Sequence, residues 1–163
     1  MDALAEIKLG PDSLALRRAR PQDVAAVVDL IAADQLGASR DGVRDAADLA
    51  AYTAAFESID ADPAHLLLVA ESDGEIVGTM QLSFLAGLAR RGALRAQIEA
   101  VRVAESMRGS GLGAAMMGWA IEEARRRGCA LVQLTSDKSR TDAHRFYQRL
   151  GFVASHEGMK LAL

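Results

Sequence analysis

Between a strand-like run and a helix-like one, residues Arg108 to Gly113 read RGSGLG. Three glycines at alternate positions, led by an arginine, make a turn whose main chain approaches a ligand closely. Successive N–H groups in such a turn converge on one point, and a helix opening there adds partial positive charge from its dipole. A diphosphate suits that point. Side chains at Gly109, Gly111 and Gly113 would block its approach or forbid the required dihedrals, whereas the bland alternative is a merely flexible turn. A nucleoside triphosphate loop is excluded, because it needs Lys and then Ser or Thr after its last glycine, and here Ala114 and Ala115 follow. Gly109, Gly111 and Ala114 do satisfy the dinucleotide pattern G-x-G-x-x-G/A, with Asp137 at the end of the next strand. In that fold, however, the glycines follow the first strand at once, and further units come after. Here Ala104 to Arg108 intervene and 26 residues remain beyond Asp137.

The elements that must hold this turn follow from periodicity. Leu14 to Arg20 (LALRRAR) reads as a first strand, and Pro21 opens a helix whose Val24, Val27, Val28 and Ile31 recur at helical spacing. A polar loop leads to a second helix from Ala46 to about Ile59, where the turn-like DADPA ends it. HLLLVAES and EIVGTMQLSFLA flank Asp73-Gly74, the strongest short hairpin signal in the chain. ALRAQIEAVRVA alternates as a further strand pairing back onto the previous one. After the glycine turn, LGAAMMGWAIEEARRRG is helical, with two glutamates before three arginines and Gly128 as its stop. ALVQLTS is a buried strand reached by a right-handed crossover. TDAHRFYQRLG is a last helix with Thr141 as N-cap and Gly151 as stop, and FVASH and MKLAL read as two closing strands.

Composition sets the frame. The chain's 163 residues suit one domain spanning 1–163, with 50% hydrophobic and 25% charged residues and a net charge of −3. A general nucleic-acid binder would carry a basic surplus, so no nucleic-acid partner is expected. No apolar run approaches the roughly 20 residues a membrane span needs, and the amino terminus lacks a secretory pattern, so a cytoplasmic protein is expected. The single Cys129 reads as core. Residues 21–63 hold nine acids against Arg40 and Arg44, while residues 87–149 hold twelve basic residues against six acids. An anionic ligand near the glycine turn and a cationic one near the front half fit that asymmetry, although solvated helix faces would account for most individual charges.

With these residues in view, the chain resembles the GNAT superfamily of acetyl-CoA-dependent N-acetyltransferases. The signature Q/R-x-x-G-x-G/A is met by Arg108, Gly111 and Gly113, with the additional Gly109 that many members share. IEAVRVAESM is similar to the family's fourth strand and AHRFYQRLGF to its closing helix and sixth strand, so the resemblance runs over residues 14–162. It implies a mixed α+β fold: a mostly antiparallel sheet of six or seven strands, about four flanking helices, and a splay between the family's fourth and fifth strands.

The resemblance also implies roles. Arg108, Gly109, Ser110, Gly111, Leu112 and Gly113 would surround the CoA pyrophosphate, mostly through backbone amides. Main-chain groups of Val101 and Val103 would bond the pantetheine arm as an added strand. Direct acetyl transfer needs an amine freed of its proton and gains from an acid that protonates the departing thiolate. Tyr147 matches the family's acid, a phenol that ordinarily keeps its proton at neutral pH; a half-buried packing aromatic is the alternative. Phe146 and Leu150 on the same helix read as core. Glu99, two residues before Val101 and so on the same face, matches a position where some members carry a base; an exposed glutamate paired with Arg95 or Arg102 is the alternative. His144 has a suitable intrinsic pKa but reads as a surface residue, and His65 and His156 have no context. Arg140 stands where members often have an asparagine, and with Lys138 it is in reach of a CoA phosphate. No metal is expected.

The implied activity is transfer of an acetyl group from acetyl-CoA to a primary amine, the acidic front half favouring a small cationic acceptor over a phosphorylated one. A peptide or protein amine is the second acceptor class. A CoA-binding sensor without catalysis and a nicotinamide-binding domain are the competing readings. Members of the family often dimerise through sheet edges or closing strands, so a homodimer is a partner the resemblance allows.

Overall fold

In a computed structural model, which describes residues 3–34 and 36–163, the chain forms two compact units, 1–133 and 134–163. The first is built on a six-stranded sheet in sequential order: β1 (Ala3–Leu9), β2 (Asp12–Arg18), β3 (His65–Ser72), β4 (Glu75–Leu85), β5 (Arg95–Val103) and β6 (Leu131–Leu134). Neighbours from β1 to β5 are antiparallel. Asp73 and Gly74 take positive φ values of 50° and 84° between β3 and β4, the conformation a two-residue hairpin turn of matching twist requires. The first strand is a correction. Two strands form where one was expected, joined through Gly10 (φ 62°) and Pro11, and in β1 Ile7 is buried between exposed Glu6 and Lys8.

Helices cover the two faces. The 3-10 turn Pro21–Asp23 leads into α1 (Val24–Ala32), and α2 (Ala46–Ala61) is capped by the Asp45 carboxylate, which accepts from Asp48 N at 2.9 Å. Val24, Val27 and Val28 of α1, Phe56 of α2 and Val69 of β3 form one cluster on this side. Ala89–Gly92, here α3, is a single turn between β4 and β5 with Arg90 and Arg91 at positive φ. On the other face lies α4 (Leu112–Arg126), whose Leu112, Met116, Met117 and Ala120 are completely buried. A Cβ at Gly78 of β4 would lie 2.9 Å from Met116 Sδ, so that glycine lets helix and sheet approach. Gly128, at φ 74°, follows the helix end as expected.

The second unit holds α5 (Thr141–Arg149), followed by Gly151 at φ 93°. Its N-cap is Arg140 rather than Thr141 and makes no side-chain cap bond. Residues 152–163 form no strand, although their alternation predicted two. Val153, Met159, Leu161 and Leu163 are exposed there, which removes the burial that gives alternation its meaning. The mixed α+β architecture holds, with six strands and five helices among the described residues.

Candidate active site

The glycine turn is ordered by bonds to alternate amides. Arg108 N donates to Glu105 O at 3.2 Å, Ser110 N to Met107 O at 3.2 Å, and Leu112 N to Ser110 Oγ at 3.3 Å. The Ser110 hydroxyl donates in turn to Met107 O at 2.6 Å. The first helical bond of α4 to reach back to the turn is from Ala115 N to Gly111 O at 3.0 Å. The amides of Gly109, Gly111, Gly113 and Ala114 make no hydrogen bond among the described residues. Four donors are therefore open at the start of a fifteen-residue helix. Gly109 and Gly111 stand at φ 76° and 91°, where a side chain strains the backbone, whereas a Cβ at Gly109 would meet nothing within 4 Å. Conformation, rather than crowding by the protein, explains Gly109. Leu112 is wholly buried and anchors the turn, while Arg108 and Ser110 are exposed.

The turn follows directly on β5. Ala104 N donates to Val77 O at 2.8 Å, so the main chain of Ala104 faces β4. By strand alternation Arg102 faces β4 as well, and the main-chain groups of Val101 and Val103 point to the opposite edge. On that side β6 has four residues against nine in β5. The Val101 carbonyl also accepts from Arg102 Nη1 at 2.9 Å.

Within β5 the register breaks. Thr79 pairs with Arg102 but Gln81 with Glu99, leaving two residues opposite Met80, and Ala100 takes φ 51°. This β-bulge reverses the inside-outside alternation. Paired residues share a face, so Glu99 and Arg102 lie together on the face of Thr79 and Gln81, with Val101 and Val103 on the other. The expected common face of Glu99 and Val101 is thus corrected: the two-residue spacing does not survive the extra residue. The Glu99 carboxylate is exposed and accepts from Gln97 Nε2 at 3.1 Å, and neither Arg95 nor Arg102 pairs with it among the described residues. Arg102 Nε instead meets Asp34 Oδ2 at 3.2 Å.

Other polar groups share this face. Gln97 Oε1 accepts from Gln133 Nε2 at 2.9 Å, and His65 Nδ1 lies 2.8 Å from Ser83 Oγ, with Ser83 in register with Gln97. Sequence reading missed Gln97, Gln133 and Asp34; in a strand a glutamine looks like any outward residue until its neighbour across the ladder is known. Cys129 is half-buried, and its surroundings push the thiol above its ordinary value.

In the second unit, Tyr147 is half-buried, its ring edge-on to Phe146 at 5.2 Å and to Phe152 at 6.0 Å between centroids. Phe146 and Leu150 are half-buried too. His144 Nε2 is 2.8 Å from Asp137 O, which gives that histidine a local structural task, and Lys138 pairs with Glu157 at 3.0 Å.

An open-amide turn opening a helix, set directly after a bulged strand, is suited to holding an anionic ligand. Residues 29–152 match the acetyltransferase (GNAT) family, and the chain belongs to it: it is an acetyltransferase. It is 35% identical over 109 residues to an aminoalkylphosphonate N-acetyltransferase of Salmonella typhimurium, covering 67% of this chain and 70% of that protein. It is 38% identical over 90 residues to a glucosamine 6-phosphate N-acetyltransferase of Trypanosoma brucei brucei, covering 55% of this chain and 59% of that one. A crystal structure described as a transcriptional regulator from Bacillus halodurans superposes with a TM-score of 0.87 at 43% identity, covering 92% of this chain and 99% of that one. No helix among the described residues is long and apolar enough to cross a membrane.

Proposed function

We propose that this acetyltransferase moves the acetyl group of acetyl-CoA directly to the primary amine of a small acceptor. The observation that carries the reading is the row of open amides at Gly109, Gly111, Gly113 and Ala114, with left-handed glycines at two of those positions. The turn fits a pyrophosphate: four donors, a helix dipole and the exposed Arg108 supply the charge complement, and the outward edge of Val101 and Val103 suits an amide-bearing pantetheine.

In the proposed reaction the amine nitrogen attacks the thioester carbonyl carbon, a C–N bond forms and the C–S bond breaks. Glu99 takes the proton leaving the amine, and the Tyr147 phenol gives one to the CoA sulfur. Glu99 is supported by its exposure on the α1-side face and by a donor fixing one of its oxygens.

The acceptor class follows from two considerations. The acidic balance of residues 21–63 suggested a cation, but Asp23, Asp34, Asp41, Asp45, Asp48 and Asp62 all have partners within the protein, which removes much of that reason. Two relatives carry names specifying amines that also bear a phosphonate or a phosphate. Small amines with a phosphorus oxyanion are therefore the acceptors to test first, with polyamines and a peptide amine as comparison arms. The decisive assay follows CoA release with each amine. Turnover with a small amine, abolished by Gly111→Val through loss of acetyl-CoA binding, supports the reading; acetyl-CoA binding without turnover on any amine turns it into a sensor.

A further inference from the structure

The Gln97 carboxamide is held at both ends. Its Nε2 donates to Glu99 Oε1 at 3.1 Å, and its Oε1 accepts from Gln133 Nε2 at 2.9 Å. An ionised carboxylate only accepts, so Gln97 must turn its NH2 towards Glu99 and its oxygen away. That leaves the oxygen needing a donor, and Gln133 on the next strand provides one. The sense of the whole chain is thus dictated from the carboxylate outward, and its three members come from β5 and β6. Gln97 and Glu99 share a face by ordinary strand alternation, and the bulge at Ala100 then turns Val101 and Val103 to the other.

We infer that Gln97 and Gln133 are positioning residues for acetyl transfer: Gln97 pins one Glu99 oxygen and leaves Oε2 to receive the proton of the incoming amine, and Gln133 locks Gln97 in the rotamer that does so. This rests on the proposed role of Glu99. A solvent-exposed glutamate otherwise samples several rotamers, and misplacing a catalytic group by about 1 Å costs up to about 10²-fold in rate. Because the two glutamines belong to adjacent strands, the bond between them also makes the spacing of β5 and β6 part of the setting of the base.

The test is a double-mutant cycle in steady-state kinetics on the full chain, with an amine found active in the acceptor panel. Gln97→Leu and Gln133→Leu should each lower kcat by about tenfold or more with the KM for acetyl-CoA unchanged. In a Glu99→Gln background neither should lower it further. Gln133→Lys keeps a donor facing the Gln97 oxygen and should restore most of the rate. Calorimetric titration with acetyl-CoA separates a folding failure from a positioning loss, since a folded variant still binds. If Glu99→Gln leaves kcat unaltered, the base and its positioning both fall. If Glu99→Gln slows the enzyme but Gln97→Leu does not, or multiplies its full factor onto that loss, the positioning inference alone is overturned.

Discussion

The Arg102 guanidinium and the Asp34 carboxylate meet at 3.2 Å, with their side chains 15% and 22% exposed. The pair joins the residue just past the β5 bulge to the chain just past α1, and Asp34 Oδ1 also accepts from Gly37 N at 2.5 Å. One carboxylate thus serves an ion pair to the strand through Oδ2, without hydrogen-bond alignment, and a hydrogen bond to Gly37 N through Oδ1. Asp34→Ala leaves a largely desolvated arginine. Equilibrium urea unfolding should show a loss of about 1–3 kcal/mol, between the values for exposed and buried pairs. A loss below a few tenths would mean that the pair does not hold the loop.

Gly111→Ala and Gly118→Ala should differ in sign. Gly111 caps α4 at φ 91°, where a Cβ costs about 1–2 kcal/mol, and the substitution should also raise the Kd for acetyl-CoA. Gly118 is exposed inside the same helix with open space around it, and alanine there should stabilise by about 0.5–1 kcal/mol. Thermal unfolding of the two variants with and without acetyl-CoA checks both.

Arg17 and Asp23 should govern acid stability. The side chains are 8% and 6% exposed and bonded at 2.7 Å, and Arg17 also reaches Glu71. Burial pushes the Asp23 carboxyl up, but the Arg17 guanidinium and the Arg20 amide outweigh it and hold the group below its ordinary 3.8. A depressed carboxylate contributes stability that is fully present above its unfolded value and disappears as pH falls through the folded one. Asp23→Asn should therefore lose its difference from the parent protein as pH falls below the ordinary carboxylate range, and Asp23→Ala should cost about 3–5 kcal/mol at neutral pH. A parent whose Tm is as insensitive to acid as that of Asp23→Asn would refute the assignment.

Tyr147→Phe removes one oxygen from a ring packed edge-on between Phe146 and Phe152. Kcat should fall by about 10²-fold while Tm changes little, the mark of a proton donor rather than a packing residue. A Tm loss with unchanged kcat would leave Tyr147 as packing alone.

Local chemistry made some of this legible and hid the rest. Asp73-Gly74 and the helix behind Gly111 were readable because each depends on a left-handed residue or a glycine stop, which leaves a mark in composition. The β1–β2 hairpin carries a similar mark at Gly10-Pro11, where the glycine takes φ 62°. The bulge leaves none: an alanine does not announce a left-handed conformation, and the extra position shows only in the fold, in the φ of 51° at Ala100 and the pairing with Gln81 and Thr79. MKLAL shows the opposite failure, alternation without a partner strand.

Ala100 has a wider meaning for how β5 is used. A regular strand carries a single reading frame, so its side chains and its free edge must serve neighbours in fixed phase. One surplus residue splits β5 into two frames, so that Glu99 and the amide bonded to it face one side of the sheet while the side chains just beyond face the other. Removing that residue would leave every side chain chemically intact and send the second half of the strand to the wrong customers.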